Sequence, residues 1–402
     1  MKKLLRKIYN KCIKQFLPMS FRQKLKRADS IEYPIIKNPE EVFEKVYHIK
    51  DATWEKAMMP DVYHLSKEWE MAQYHKPQDI LMIKNCIVGN RSDVVVTSKG
   101  VIWEKANSDV FSKIVPMDGD MVECDRNHVN VRKTNQLEHV HGECLSLLGV
   151  HCEAWSHFIV QYLPKLYYAE KAGLLDRDIT IIMPQYNDKQ IEALIDRVLN
   201  PHKNVTRKII PTNTGLYRLQ CEKLYFIPMA SWISNHAEWL SPYDIVIPKQ
   251  VTDILYKNVF EPLKENAKKS SFIHEKVYLV RRGIRGMSNV DEVEQYFAEQ
   301  GFYMAEPQKL SLEEKASLFY HAKVIAGPQS SAWSNLLFCN KAKGLMLTSL
   351  CRTLDAYAGY LNNYGTIQWL LLTGDDCTST IHSDYYIPID KIDAAYKQLI
   401  NS

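Results

Sequence analysis

The stretch that decides the fold is KVYLVRRGIRGMSNVDEVEQYFAEQGFYMAEPQKLSLEEKASLFYHAKVIAGPQSSAWSNLLF, residues 276–338. It opens a series of four short apolar runs that alternate with segments of helical periodicity. The runs are 276–280, 302–306, 323–327 and 344–348. Gly301 closes the first helical segment, and a capping box of Ser311 and Glu314 opens the second. Short apolar strands that alternate with helices predict a parallel, doubly wound sheet.

Three arginines follow the first of these strands. The loop RRGIRGMSN (281–289) places Arg281, Arg282 and Arg285 between a strand end and a helix start. Ligands bind at the carboxyl ends of the strands in such sheets, and guanidinium groups match phosphate oxygens bidentately. The loop therefore predicts a site for a phosphorylated small molecule. The alternative is a set of solvated arginines beside acidic partners.

The loop after the third strand is poor in side chains. In AGPQSSAWSNLLF (326–338), Gly327 permits close approach to the backbone, and 333–338 is predicted to be helical. Polar side chains follow the glycine at Ser330, Ser331, Ser334 and Asn335. The loop has neither the GK[ST] of a Walker motif nor GxGxxG. A tight strand-to-helix turn and a ligand cradle therefore fit it equally well.

The N-terminal half carries weaker signals of the same architecture. Short β-like runs occupy 79–150, and 154–175 is predicted to be helical with a kink at Pro164. The strand–helix–strand order of a βαβ unit follows at 179–184, 187–199 and 223–228. Residues 28–78 show few periodic signals.

A chain of 402 residues favours two domains. We therefore expect an α/β protein with two Rossmann-like domains, 28–250 and 251–402, that face a cleft. The last helix is free to pack back on the N-terminal domain. A basic segment, 1–27, precedes both domains.

The positive charge of the chain belongs to that segment. The net charge is +4, yet residues 1–27 hold ten Lys or Arg and no Asp or Glu. The remaining chain has 41 basic and 47 acidic residues, a net charge of −6. This balance argues against nucleic acid as a partner.

The basic segment begins MKKLLRKIYNKCIKQFLP, with apolar residues at helical spacing and lysines largely off that stripe. A basic amphipathic helix of this kind suits an anionic membrane surface. The alternative is a terminal helix docked on the protein's own core. The N-terminus lacks the features of a signal peptide. We therefore expect a cytoplasmic protein, peripheral on the inner face of the cell membrane.

Histidines and cysteines are frequent around residue 150, but their spacing matches no metal signature. HVHGEC (139–144), His151, Cys152 and His157 offer suitable ligand atoms without a zinc or iron pattern, so no metal is expected. The nine cysteines are scattered and contain no CxxC pair, which argues against a disulfide framework. His157, between aromatic residues, is either a hydrogen-bonded core histidine or an acid/base group that faces a cleft.

The segments AWSHFIVQYLPKL (154–166) and 277–338 together resemble glycosyltransferase family 61, the capsular-polysaccharide and xylosyl/N-acetylglucosaminyltransferase group. The first is similar to that family's Asn-aromatic-x-His-Trp/Phe element, which ends in Leu-Pro-Arg/Lys-Leu. The second is similar to its series of strand-Arg, Arg-x-x-Asn-Glu, Gly-Phe, acidic helix and Gly-x-His-Gly-Ala-x-x-x-Asn. The matching positions in the second segment are Arg281, Arg285, Asn289, Gly301, Phe302, Gly327 and Asn335.

The resemblance implies a two-domain glycosyltransferase of the GT-B type that inverts the sugar and needs no metal or other cofactor. It implies a nucleotide-sugar donor in the C-terminal half and a lipid-linked or oligosaccharide acceptor, part of a capsular, exopolysaccharide or O-antigen glycan. The donor-binding positions are then Arg281, Arg282, Arg285, Asn289, Gly327, Gln329, Ser330, Ser331 and Asn335. His157 is the candidate base for the acceptor hydroxyl.

The chain departs from the family pattern in three places. Gln329-Ser330 stands where the family has His-Gly, Val290 where it has Glu, and Ala154 where it has Asn. A glutamine can hydrogen-bond a phosphate or a sugar but cannot act as a base. The alternative function is therefore a catalytically silent relative that binds nucleotide or glycan within an assembly complex.

Overall fold

The chain folds into a mixed α/β structure built on two large β-sheets. The computed structural model describes residues 29–59, 61–63, 69–90, 92–104, 121–125, 127–133, 137–211, 217–233, 245–282, 287–348, 367–374 and 385–402. The basic segment 1–27 and Arg285 lie outside these residues. Within the described part of the chain, no helix is long and apolar enough to cross a bilayer.

The N-terminal sheet has eight strands and contains a Rossmann-like parallel core. Its parallel strands lie in the order Val205–Ile210, Ile179–Pro184, Leu137–Ser146 and Arg218–Phe226. Numbered along the chain this order is 3-2-1-4, so it reverses between the first and fourth strands. The antiparallel side consists of Gln78–Gly89, Glu44–Lys50, Val95–Thr97 and Gly100–Ile102. The strand and helix predicted within 179–199 are present, whereas the strand Val205–Ile210 was missed.

The C-terminal sheet has six strands, all parallel. Their order is Tyr303–Ala305, Lys276–Leu279, Val324–Pro328, Ala342–Thr348, Ile367–Thr373 and Asp61–Val62. The first five follow the doubly wound order 2-1-3-4-5 when numbered along this half of the chain. The parallel sheet predicted from the apolar runs is therefore confirmed. The sixth strand comes from the N-terminal half, where the sequence shows few periodic signals.

Helices flank these sheets. Among the described residues they lie at Pro39–Val42, Trp155–His157, Leu163–Lys171, Lys189–Leu199, Lys249–Leu255, Glu261–Lys269, Val290–Glu299, Leu312–His321 and Ile389–Asn401. Shorter 3₁₀ segments lie at Pro307–Lys309 and Ser331–Phe338. The predicted capping box is present, since Ser311 and Glu314 bond to each other's backbone N–H groups. The last helix packs on the C-terminal sheet, because its apolar face joins the side chains of that sheet.

Proline explains an irregular turn in the helix that contains His157. Phe158–Tyr162 forms a π turn, and Pro164 follows it in the first turn of Leu163–Lys171. Proline has no N–H group to bond the carbonyl oxygen of Val160, four residues earlier. The Ser231 hydroxyl donates to that oxygen instead. The irregularity predicted at Pro164 is thus a π turn, a form often found at functional sites.

The largest apolar cluster joins the two halves of the chain. It includes Phe158 and Ile159 from the N-terminal half and Phe260, Trp333 and Phe338 from the C-terminal half. The relation between the halves is therefore maintained by a shared core.

Three small antiparallel sheets complete the described structure. They consist of Ser30–Pro34 with His128–Arg132 and Met121–Cys124, of Thr53–Met59 with Trp69–His75, and of Trp232–Ile233 with Ile245–Val246.

Candidate active site

One candidate site lies at the carboxyl edge of the C-terminal sheet. The strands Lys276–Leu279 and Val324–Pro328 are neighbours, and the strand order reverses between them. Arg281 follows the first strand, and its Nη1 donates a hydrogen bond to the carbonyl oxygen of Gln329, which follows the third strand of this half. Doubly wound sheets bind ligands in the crevice at such a reversal. Arg281 and Gln329 therefore border the position expected for a ligand.

Gly327 allows the two strands to lie this close together. Its φ is +147°, and a Cβ at this position would lie 2.7 Å from the carbonyl oxygen of Leu279. Side chains other than that of glycine are excluded by both features. The close approach predicted at Gly327 is thus made by the neighbouring strand.

The loop that follows is held by its own hydrogen bonds. The Gln329 N–H donates to the Leu347 carbonyl oxygen over 2.8 Å, and its Oε1 accepts from Thr348 Oγ1 over 2.7 Å. Ser331 is exposed, and its carbonyl oxygen accepts from the Ser334 hydroxyl.

Two buried oxygens near this loop lack hydrogen-bond partners among the residues that the structure describes. Ser330 Oγ and Asn335 Oδ1 have no hydrogen-bond partner within the described part of the chain. Buried polar atoms in folded proteins are almost always hydrogen-bonded, so an unsatisfied pair calls for an explanation. A polar ligand in the crevice is one group that could satisfy them.

Arg282 and Asn289, also predicted to bind the donor, are bound to neighbouring protein groups. Arg282 forms a two-pronged ion pair with Glu294, and this hydrogen-bonded carboxylate raises the pKa of the guanidinium. The Asn289 amide donates to the Ile387 carbonyl oxygen over 2.9 Å. Asn289 therefore attaches the segment before the last helix to the start of Val290–Glu299.

His157 lies at the corresponding reversal of the N-terminal sheet, between Leu137–Ser146 and Arg218–Phe226. The loop after the first of these strands leads to His157, and the loop after the second leads to Ser231. Gln161 joins the two loops. Its Oε1 lies 2.7 Å from His157 Nδ1, and its Nε2 donates to the Ser231 carbonyl oxygen over 3.3 Å.

These hydrogen bonds determine the tautomer of His157. Gln161 Nε2 faces two acceptors, the Ser231 carbonyl oxygen and the Met229 sulfur, so Gln161 Oε1 faces the imidazole. An amide oxygen can only accept, so His157 Nδ1 carries a proton, and in the neutral imidazole Nε2 then carries the lone pair. A neutral imidazole with a basic nitrogen is the form that a general base requires.

The segments that follow the strands of the two sheets, one with His157 and the other after Gln329, meet in space. The turn Trp155–His157 packs against the 3₁₀ segment Ser331–Phe338, which begins two residues after Gln329. The segments 154–166 and 326–338, singled out separately in the sequence, therefore belong to one neighbourhood. Of the predicted site residues, Arg285 alone lies outside the residues that the structure describes.

The family comparison covers both segments. The family model Glycosyltransferase 61 matches residues 155–346, from the turn that carries His157 to the fourth strand of the C-terminal sheet. This region is a glycosyltransferase family 61 domain. Among curated proteins, none matches the chain. The resemblance inferred from the two motifs is thus confirmed, and with it the prediction of an enzyme.

The glycosyltransferase also buries charged residues that sequence reasoning missed. Lys165, within LPKL, is 7% exposed, and burial lowers its pKa while the charges of Glu104 and Asp93 oppose that shift. Asp93 accepts a hydrogen bond from Tyr162 Oη over 3.1 Å, and the Glu104 carboxylate accepts one from the Met229 N–H. The available signal was the position of Lys165 on the helix of His157. The two acids lie in a region without a motif.

The histidines and cysteines near residue 150 do not converge on one point. Within the described residues, no group of three or more His, Cys, Asp or Glu side chains could hold a metal ion. His139 and His141 stack on each other with ring centroids 6.3 Å apart, and the His151 ring lies 5.1 Å from that of His157. Cys144 and Cys152 are buried thiols.

Proposed function

We propose that this glycosyltransferase moves a sugar from a nucleotide-sugar donor to a hydroxyl of a growing surface glycan, with inversion and without a metal ion. The donor diphosphate binds at the carboxyl edge of the C-terminal sheet beside Arg281, and the acceptor binds beside His157. The observation that carries this proposal is the contact of Arg281 with Gln329 at the reversal of the strand order. The unsatisfied oxygens of Ser330 and Asn335 lie in the loop and 3₁₀ segment that follow.

The proposed step is a single displacement. His157 Nε2 takes the proton of the acceptor hydroxyl as the hydroxyl oxygen attacks the anomeric carbon. The bond from that carbon to the diphosphate oxygen breaks, and its electron pair leaves with the nucleotide diphosphate. Attack opposite to the leaving group inverts the anomeric configuration.

Arginine supports a mechanism without a metal. The Arg281 guanidinium can balance the charge that develops on the departing diphosphate, as preorganised donors do in other active sites. Arg285, Asn289, Gly327 and Ser331 complete the proposed donor site. Arg282 also belongs to it if the guanidinium exchanges Glu294 for phosphate, an exchange that the exposed position of Arg282 permits.

The proposed architecture is of the GT-B type. Two Rossmann-like domains, 28–250 and 251–402, each present a reversal of strand order, and the donor and acceptor bind between them. The packing of Trp155–His157 against Ser331–Phe338 supports this arrangement, because it brings the loops of the two sheets together.

We also propose that the basic segment 1–27 attaches the enzyme to the inner face of the cell membrane. There it meets a lipid-linked or oligosaccharide acceptor of a capsular, exopolysaccharide or O-antigen glycan. The support is its ten basic residues without an acidic one, in a chain whose remainder has a net charge of −6. A variant that lacks residues 1–27 should no longer sediment with anionic vesicles; sedimentation equal to that of the full chain would contradict the proposal.

The decisive experiment is a thermal-shift screen against nucleotide-sugars, followed by a transfer assay with a chelator present. A donor that binds the folded state raises the Tm. Product of inverted configuration, formed in the presence of the chelator, would support the full proposal. A donor that binds without transfer or hydrolysis across a panel of acceptors would identify the silent relative. The absence of binding by every nucleotide-sugar would overturn the proposed transfer and leave only a silent relative that binds glycan.

A further inference from the structure

A buried lysine joins the two halves of the enzyme. Lys315 lies on the helix Leu312–His321, directly before the strand that carries Gly327, and is 2% exposed. Lysine is almost never buried to this degree unless its amine has partners. Its partners therefore indicate what the burial achieves.

Both close partners of the Lys315 amine come from the N-terminal half. Nζ lies 3.4 Å from the ring centroid of Trp155 and donates a hydrogen bond to Gln190 Oε1. Gln190 Nε2 donates in turn to the carbonyl oxygens of Pro307 and Leu310, back in the C-terminal half. The amine thus lies within a closed set of contacts that crosses between the halves twice.

Trp155 is the first residue of the turn that carries His157. Its indole Nε1 is buried and has no hydrogen-bond partner within the described part of the chain. The ring is therefore oriented by packing and by the amine over its face, a contact that is stronger when the amine is protonated. A displacement of this ring would move the backbone that leads to His157 two residues later.

We propose that Lys315 is a positioning residue for sugar transfer: its contact with Trp155 orients the His157 turn against the donor side of the site. The proposal rests on the proposed role of His157. Lys315 does not contact the reacting atoms. It couples the helix before the donor loop to the helix that carries the base.

The two helices that carry Gln190 and Lys315 also offer a matched control. Arg197, on Lys189–Leu199, pairs with Glu313, on Leu312–His321, over 2.9 Å. This ion pair also joins the two halves, but both of its side chains are exposed. Exposed pairs contribute little to stability. Arg197→Ala therefore removes a contact between the halves without disturbing the amine–indole contact.

The test compares Lys315→Met, Trp155→Phe, the double variant and Arg197→Ala with the wild type. For each, kcat, donor Kd and the amide hydrogen exchange of residues 155–162 are measured. Lys315→Met should lower kcat about tenfold through misplacement of the base. It should leave donor Kd within about twofold, because Lys315 acts through the turn that carries His157 and makes no contact with the donor. Exchange in 155–162 should become faster, and the effects of the two single variants should not add in the double variant.

Several outcomes would overturn the inference. Unchanged kcat and exchange in Lys315→Met would show that the amine merely fills space, and equal changes in Arg197→Ala would show general loosening of the interface. If the wild type transfers no sugar, the proposed function fails, and the exchange measurement alone decides whether Lys315 orders the turn. If Lys315→Met does not fold, the double variant cannot be compared with it, and Trp155→Phe alone carries the test. Unchanged kcat and unchanged exchange in Trp155→Phe would then overturn the proposal.

Discussion

Arg281 donates a hydrogen bond from its guanidinium to the backbone carbonyl oxygen of Gln329, across the reversal in strand order of the C-terminal sheet. This bond ties the loop after one strand to the loop after its neighbour. A guanidinium carries five N–H groups, so a bond to a carbonyl is compatible with contact to a diphosphate. Arg281 is thereby held at the edge where the donor is expected.

Arg281→Ala should weaken nucleotide-sugar binding by about 1.5–3 kcal/mol, the range for a charge-assisted hydrogen bond. Calorimetry measures the effect directly. Arg282→Ala is the contrasting variant, and a smaller loss is expected because Glu294 already occupies that guanidinium. Unchanged affinity in Arg281→Ala would mean that the arginine only organises the loop.

His157→Ala should lower kcat by about 10²–10⁴-fold, the usual contribution of a general base, while donor affinity is retained. Steady-state kinetics and calorimetry on the same variant separate the two effects. His141→Ala is a suitable control, because that side chain is 87% exposed and its ring stacks on His139. Retention of full activity by His157→Ala would assign the base to another residue.

Gln329→His restores the residue that the family has at this position. Activity should be kept or raised, because an imidazole nitrogen can also accept the hydrogen bond that Thr348 donates to Gln329. The measurement is kcat/KM beside a donor-binding assay. A variant that binds donor but loses transfer would show that this chain has adapted its loop to glutamine.

Gly327→Ala should destabilise the fold by about 2–4 kcal/mol, since it adds backbone strain to a steric clash. The new Cβ would lie 2.7 Å from the Leu279 carbonyl oxygen, at a φ of +147°. Gly142→Ala is the matched control, with a φ of +73° and nothing within 4 Å of the added carbon. Its cost should be only about 1–2 kcal/mol, from the left-handed backbone alone. Urea denaturation compares the two, and equal losses would refute the clash.

The stability of the enzyme should depend on pH through Lys315. Burial lowers its pKa to about 7 from the ordinary 10.5, against the opposing charge of Asp188. Between these two pH values the unfolded chain binds a proton that the folded state does not. The free energy of unfolding contributed by this group therefore rises with pH across that window, by up to about 1.4 kcal/mol per pH unit. Below pH 7 both states bind the proton, so the dependence on pH ends there and the destabilisation caused by burial is at its full size.

Lys315→Met should flatten this part of the curve. The measurement is the urea midpoint of both proteins at several pH values between 7 and 10. A parallel dependence in the two proteins would mean that Lys315 stays charged in the folded enzyme, as the Trp155 face favours.

The sequence predicted the C-terminal sheet well because its strands are buried on both faces. Val277 and Ile325 are fully buried, so each strand appears in the sequence as an unbroken apolar run. The capping box at Ser311 was equally visible, because it depends on residues three positions apart. Local signals of this kind do not require knowledge of the tertiary fold.

The parts that were missed depend on distant partners. Lys315 lies in a helix with charged neighbours, where a lysine is ordinarily solvated, and only Trp155 and Gln190 explain its burial. Ser231 supports the π turn from 71 positions along the chain. The ion pair between Arg282 and Glu294 likewise depends on how a loop folds over the next helix.

The two-residue strand Asp61–Val62 has a consequence for biosynthesis. It leaves the ribosome long before its partners Leu370 and Leu371, so this edge of the C-terminal sheet is completed only when nearly the whole chain has been made. A fragment beginning at residue 251 would expose the backbone of Ile367–Thr373 along that edge, where strands of other molecules can pair. The C-terminal half therefore depends on the N-terminal half for protection against aggregation as well as, in the proposed reaction, for its acceptor.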